Sequence, residues 1–180
     1  MTRILTALTL LAAALLAPPT AAGEPVLGAP VITALKAMKP MTPAPLGKLE
    51  GKVVVVSFFA SWCPPCTDEF HQLNKLRAAF PAEKLAIVSL NLFEDFFENG
   101  QEARMKRFLK RTAPAFPVLG GLGDDDLSAL FGGVERIPTV FIFDRRGRAV
   151  FRFIHEVDAT KRHANFDEMK AAIQPLLAGG

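Results

Sequence analysis

The nine residues Lys52–Ala60, KVVVVSFFA, are rich in β-branched and aromatic side chains, which run from Val53 to Phe59 broken only by Ser57. Such a run fits a strand buried on both faces, because it lacks the polar alternation that a wet face would require. SWCPPC (Ser61–Cys66) comes next, and then Phe70, Leu73, Leu76 and Phe80 recur at helical spacing until Pro81 marks the stop. A second buried run, KLAIVSLNL (Lys84–Leu92), follows. Strand, helix and strand of these lengths make a βαβ unit, whose crossover sets the two strands parallel.

Further along, FEDFFENG (Phe93–Gly100) reads as a loop with an acidic face. QEARMKRFLKRT reads as a helix with Met105, Phe108 and Leu109 on one side, and FPVLGG as a short extended piece. DDDLSALFGG offers an aspartate cap, one or two helical turns and a glycine stop. PTVFIFDRRGRAVFRFI is a hairpin of two alternating runs joined by Asp144–Gly147. Asn165 and Glu168 form a capping box opening a last helix with Phe166, Met169, Ile173 and Leu177 on one face. The order predicts one α/β domain, a central mixed β-sheet flanked by helices.

The N-terminus bears on where this domain works. Arg3 precedes an uncharged apolar run of about 14 residues, Ile4–Ala17, and small residues close the stretch at Ala21-Ala22. This layout is that of a secretory signal over residues 1–22, and the run is shorter than the roughly 20 residues a spanning helix needs. Residues 23–45 form a proline-rich lead-in, extended where ordered, in which Val31–Met38 fits a short helix or a strand equally. Residues 46–180 then form the folded domain. Loss of residues 1–22 removes only Arg3, so the net charge falls from +3 to +2, too near neutral to argue for nucleic acid. The implied location is periplasmic or otherwise extracytoplasmic.

Cys63 and Cys66 are the only cysteines. A structural zinc site needs four Cys or His ligands, and His71, His155 and His163 show no cluster with them. A staple is the default for an exported pair, but the loop closed here has two residues inside it, and short loops gain little from cross-linking. The redox reading fits the local physics better. Cys63 falls where a buried strand hands over to a helix, and free amides with the helix dipole favour a thiolate there. Cys66 falls in the first turn, close enough to resolve a mixed disulfide. Pro64 and Pro65 suit early helical positions and hold the two sulfurs in a rigid relation.

SWCPPC after KVVVVSFFA resembles the active-site segment of thioredoxin-fold proteins, in particular the exported TlpA/ResA-like thiol–disulfide oxidoreductases. Glu69, FPVL (Phe116–Leu119) and GGVERIPTVFIFDRRGRAVFR (Gly132–Arg152) extend the likeness, which covers roughly Leu46 to Leu177. The resemblance implies a thioredoxin-like fold, with Cys63 as attacking thiol and Cys66 as resolving thiol. It also implies that Pro138 is a cis-proline facing the disulfide, with the Ile137 backbone binding an extended substrate. Trp62 would flank the nucleophile, or else belong to the core. Glu69 would tune the cysteine pair, or else be an ordinary first-turn glutamate on the helix dipole. Thioredoxins carry a buried aspartate where this chain has Ser57, so Glu69 or water would have to accept the proton. His155 replaces a frequent glycine and reads as a surface residue.

The function so implied is reduction of protein disulfides such as those of apocytochrome c or copper-site assembly factors. No cofactor is implied, and the protein would act as a monomer. Electrons would come from a membrane donor of the DsbD/CcdA kind. Two alternatives stay open: a disulfide-forming oxidant on the same fold, and a copper metallochaperone binding through Cys63 and Cys66, with His155 as the one added ligand to test.

Overall fold

Val53–Phe59 forms β2, a strand with every residue buried, as its continuous apolar run predicts. It sits at the centre of a six-stranded mixed sheet in the computed structural model, which describes residues 24–179. From edge to edge the order is Lys39–Pro40 (β1), Val118–Gly120 (β4), Leu85–Asn91 (β3), β2, Thr139–Phe143 (β5) and Ala149–Ile154 (β6). β3 (Leu85–Asn91) lies parallel to β2, with α2 (Pro64–Ala79) as the crossover between them. β5 (Thr139–Phe143) lies antiparallel on the other side of β2, and β6 (Ala149–Ile154) completes the hairpin at the edge. β4 (Val118–Gly120) follows β3 through α3 (Gln101–Thr112) and pairs parallel with it.

Successive side chains of a strand point to opposite faces, so Phe58 and Phe59 seed two separate packing layers. On one face Phe59 meets Phe70 of α2 at 4.7 Å and stacks on Phe108 of α3 at 5.1 Å, and Phe116 lies 5.4 Å from Phe70. On the other, Phe58 meets Phe131, just after α4 (Asp124–Leu130), edge-on at 4.9 Å. Each well-disposed aromatic pair contributes about 0.5–1.5 kcal/mol beyond the area it buries. These layers fix α2 against the sheet, and α2 carries the cysteines.

The lead-in segment is not extended throughout. Ala29–Ala37 forms α1 with Val31, Ile32 and Leu35 buried, and Lys39–Pro40 forms β1, antiparallel to β4. A proline at the start of α1 costs nothing, since the first-turn N–H has no helical partner. Thus a helix, rather than a strand, occupies the ambiguous stretch, and its buried side matches a 3–4 spacing. The predicted signal, residues 1–22, lies outside the described residues.

At α4 the cap differs from expectation. Gly123 is the N-cap, and the three aspartates occupy the first turn, where they complement the helix dipole. Asp124 is instead spent on a neighbouring loop, accepting from the Phe93 amide at 3.0 Å. The hairpin turn is as expected, with Asp144 accepting from the amides of Arg146 and Arg148 at 2.9 and 3.0 Å. Gly147 is required there: its φ is 76°, and a Cβ would meet the Leu27 carbonyl oxygen at 2.6 Å.

The last helix, α5 (Phe166–Ala178), opens with the predicted capping box, Asn165 Oδ1 accepting from the Glu168 amide at 3.0 Å. Met169 and Ile173 are fully buried, and the Phe166 amide donates to Gln72 Oε1 of α2 at 3.3 Å. The start of α5 is thereby seated on the cysteine helix. Among the described residues no helix is long and apolar enough to cross a membrane.

Candidate active site

β2 delivers the chain to the end of the sheet, where the Cys63 amide closes a turn onto the Ala60 carbonyl at 3.2 Å. Cys63 is the N-cap of α2, Pro64 and Pro65 take its first positions, and Cys66 completes the turn. The two sulfurs are bonded at 2.10 Å, with their Cα atoms 5.4 Å apart. Cys63 is 4% exposed and Cys66 wholly enclosed, so Cys63 is the less buried of the pair. No acidic side chain occupies the first turn of α2, leaving the positive end of its dipole unneutralised beside Cys63.

Glu69 lies one turn beyond Cys66 on the same helix face and is completely buried. It lies beyond the first turn of α2, enclosed with Phe70, Leu73 and Leu76. Its Oε1 accepts a 2.6 Å hydrogen bond from Ser57 Oγ, and its Oε2 has no partner. Burial pushes its pKa from 4.5 up to about 8, against the opposing pull of the Ser57 hydroxyl and, more weakly, the Ala164 backbone. At neutral pH the carboxyl therefore keeps its proton. The serine expected to leave a gap in the proton path is instead the buried partner of this acid.

Across the sheet, Thr139 of β5 pairs with Phe58, which sets the preceding Pro138 beside the end of β2 from which the cysteine turn departs. The Ile137–Pro138 peptide is cis, and both residues are buried, Ile137 at 8% exposure. The Pro138 carbonyl accepts from the His155 amide at 3.0 Å, and Thr139 Oγ1 donates to the Arg136 carbonyl at 2.7 Å, which together hold the loop in place. His155 is half-buried and its Nδ1 has no partner. It flanks Pro138 through its backbone. His71 is exposed on α2, and His163 bonds the Ala164 carbonyl. Among the described residues, no group of three or more His, Cys, Asp or Glu side chains is assembled to hold a metal ion.

Trp62 is half-buried, and its indole N–H donates to the Phe93 carbonyl at 2.7 Å. The loop that follows inverts its expected polarity. Glu94 turns inward, taking hydrogen bonds from the Ser61 hydroxyl, the Ser61 amide (2.9 Å) and Asn91 Nδ2 (2.9 Å). Phe96 and Phe97 turn out to solvent. Sequence reasoning missed the roles of Ser57 and Glu94. Each has a signal in retrospect: a lone hydroxyl inside an apolar strand, and an acid three residues beyond a buried strand's last asparagine.

A central mixed sheet with a Cys-Pro-Pro-Cys disulfide at the strand-to-helix junction and a cis-proline beside it defines a thioredoxin-like protein. Comparison with known proteins agrees. The chain belongs to the Redoxin family, whose sequence model matches residues 21–173. It is 29% identical over 105 residues to the thiol-disulfide oxidoreductase ResA of Halalkalibacterium halodurans, covering 58% of this chain and 55% of that one. It is 31% identical over 113 residues to the thioredoxin-like protein YneN of Bacillus subtilis, covering 63% and 61%. The matches thus span little more than half the length of these curated relatives. Among solved structures, a thiol-disulfide isomerase from Corynebacterium glutamicum superposes with a TM-score of 0.64 over 87% of this chain and 98% of that one. At 20% identity that likeness speaks to the fold.

Proposed function

We propose that this chain is an extracytoplasmic thiol–disulfide oxidoreductase acting as a reductase of protein disulfides, with residues 1–22 as its export signal and residues 46–180 as its catalytic domain. One observation carries the reading. Cys63, the less enclosed of the two cysteines, caps a helix with no acid in its first turn, and it is bonded to a wholly buried cysteine one turn from a buried carboxyl whose pKa is raised to about 8. A staple would need none of this apparatus.

The reduced protein starts with Cys63 as thiolate and Cys66 as thiol. Cys63 attacks one sulfur of the substrate disulfide, forming a mixed disulfide and expelling the other substrate sulfur as thiolate. Cys66 loses its proton and attacks Cys63, re-forming the 63–66 bond and expelling the second substrate sulfur. Two electrons pass to the substrate, whose two thiolates take up protons, one originating on Cys66 and one from solvent, and the cysteine pair ends oxidised. In its carboxylate form, the minority at neutral pH and the majority above about pH 8, Glu69 accepts the Cys66 proton. Its pKa of about 8 is close to that of a free thiol, the match that makes a general base efficient. Trp62 screens the sulfur, and the Ile137–Pro138 backbone holds the substrate chain extended.

The resemblance to ResA-like proteins supports the reducing direction, with apocytochrome c or copper-site assembly factors as substrates and a membrane donor of the DsbD/CcdA kind restoring the thiols. The protein works as a monomer, without nucleic acid.

Two measurements test the proposal. Equilibration of the purified protein with glutathione should give a potential near that of thioredoxin, about −270 mV. A value near about −120 mV, that of DsbA, would reverse the direction. The variant Cys66→Ser, expressed with its own N-terminus, should accumulate a mixed disulfide through Cys63 with an extracytoplasmic protein. Equal trapping by Cys63→Ser would sink the assignment of the attacking thiol.

A further inference from the structure

Trp62, next to Cys63 in the chain, anchors an aromatic ledge whose two outer rings the thiol chemistry leaves unused. Trp62, Phe96 and Phe97 form a closed triad with ring centroids 5.1, 5.6 and 5.1 Å apart. Phe96 is 71% exposed and Phe97 48% exposed. Single exposed hydrophobes are commonplace, but two consecutive ones stacked on a third ring are a patch. With Glu98, Asn99 and Arg104 they line an open groove of about 810 Å³.

The ledge is held rather than loose. Phe93 adopts a left-handed conformation, φ 60° and ψ 29°, which is costly for a bulky residue. Its amide is fixed by Asp124, and its carbonyl by the Trp62 indole. Glu94 ties the same loop to Ser61, and Arg104 grips the Asn99 and Phe97 carbonyls while lying 5.6 Å over the Phe97 ring. Hydrogen bonds and backbone strain are therefore spent to keep two phenylalanines facing water next to Cys63.

We propose that this ledge is the docking site for the substrate polypeptide, and that it selects an aromatic or long aliphatic side chain near the substrate's reactive cysteine. The inference rests on the oxidoreductase reading and sharpens it. Trp62 adjoins Cys63 in the chain, so the ledge is continuous with the place where a mixed disulfide must form. Phe96 and Phe97 lie 5.1 and 5.6 Å from the Trp62 ring, a span that an extended partner rising about 3.3 Å per residue crosses in roughly two residues. The selected side chain therefore sits within a few positions of the cysteine.

The test compares two synthetic peptides, each a disulfide-linked dimer, with Phe or Ser three residues from the cysteine. The full-length protein, pre-reduced, is mixed with each, and oxidation is followed by the fluorescence of Trp62, its only tryptophan. Wild type should react about five- to tenfold faster with the Phe peptide, the worth of a favourable aromatic contact. In Phe96→Ala, and in Phe96→Ala/Phe97→Ala, that ratio should fall to near one. A wild-type ratio of one, or a ratio that persists in both variants, overturns the ledge as docking site. Concentration-dependent dimerisation that Phe96→Ala abolishes would overturn it in favour of a second copy of this chain. Glutathione disulfide separates the two levels: if wild type is oxidised by it but ignores the Phe group, the ledge alone fails. If no disulfide oxidises the protein, the underlying function fails with it.

Discussion

Ser57 Oγ donates a 2.6 Å hydrogen bond to Glu69 Oε1 across the β2–α2 interface, and both residues are wholly buried. The hydroxyl stabilises the charged carboxylate, while burial penalises it and dominates, leaving Glu69 protonated up to about pH 8. A buried proton is thus stored one helical turn from Cys66.

Glu69→Gln should remove a pH dependence of both stability and rate. The unfolded chain loses this proton near 4.5 and the folded one near 8, so folding takes up a proton between those values. The contribution is therefore complete below about pH 4.5 and is lost as pH rises to about 8. Glutamine does not titrate, so the variant should gain on wild type over that window, by on the order of 4 kcal/mol at the alkaline end. Denaturant unfolding from pH 4 to 9 measures this; parallel curves would refute it. The resolving step should slow about a hundredfold and lose its rise towards pH 8.

Ser57→Ala should move Glu69 further up. The hydroxyl is the leading influence holding that pKa down, so its loss leaves the carboxylate with less support. A side-chain titration of Glu69 by NMR should show a higher midpoint than wild type, at a stability cost of about 1–3 kcal/mol above pH 8. A lower midpoint would show that water replaces the serine.

Glu94→Ala should free the aromatic loop. Three donors, the Ser61 amide and hydroxyl and the Asn91 amide, lose their acceptor together. Amide exchange across residues 93–97 should accelerate, and Trp62 emission should shift red as its bond to Phe93 loosens. Unchanged exchange would mean that Asp124 and Arg104 hold the loop alone.

Asp144→Ala should cost about 1–3 kcal/mol by unlocking the β5–β6 turn. Burial works against the Asp144 charge, yet the Arg148 amide and guanidinium and the Arg146 amide outweigh it and hold its pKa below the usual 3.8. That stabilisation is present above the unfolded pKa and disappears as pH falls through the folded one. The gap between variant and wild type, followed by thermal melts, should therefore close in strong acid.

The sheet was legible because β2, β3 and the hairpin state their burial in their side chains: Val53–Phe59 is apolar on both faces and needs no context to place it. The sulfurs were legible for the same local reason, a strand ending and a helix beginning within four residues of each other. Glu69 was half legible. It falls on the stripe of Cys66, Phe70, Leu73 and Leu76, but helical spacing cannot say whether a carboxylate there is sealed. That depends on Ser57 beneath it and on the segment before α5, nearly 100 residues away. The loop at Phe93–Gly100 misled because its acids look like a solvated face. Only tertiary donors on Ser61 and Asn91 turn Glu94 inward and send the phenylalanines out.

Ala164 is fully enclosed where the chain enters α5, and its neighbours clamp that corner onto α2. The roof over the stored proton is therefore built from the last stretch of the sequence. Should the closing helix lift, water would reach the acid, the proton would leave, and a negative charge would appear behind the sulfurs. Seating of the C-terminus and protonation of Glu69 are in that sense one equilibrium.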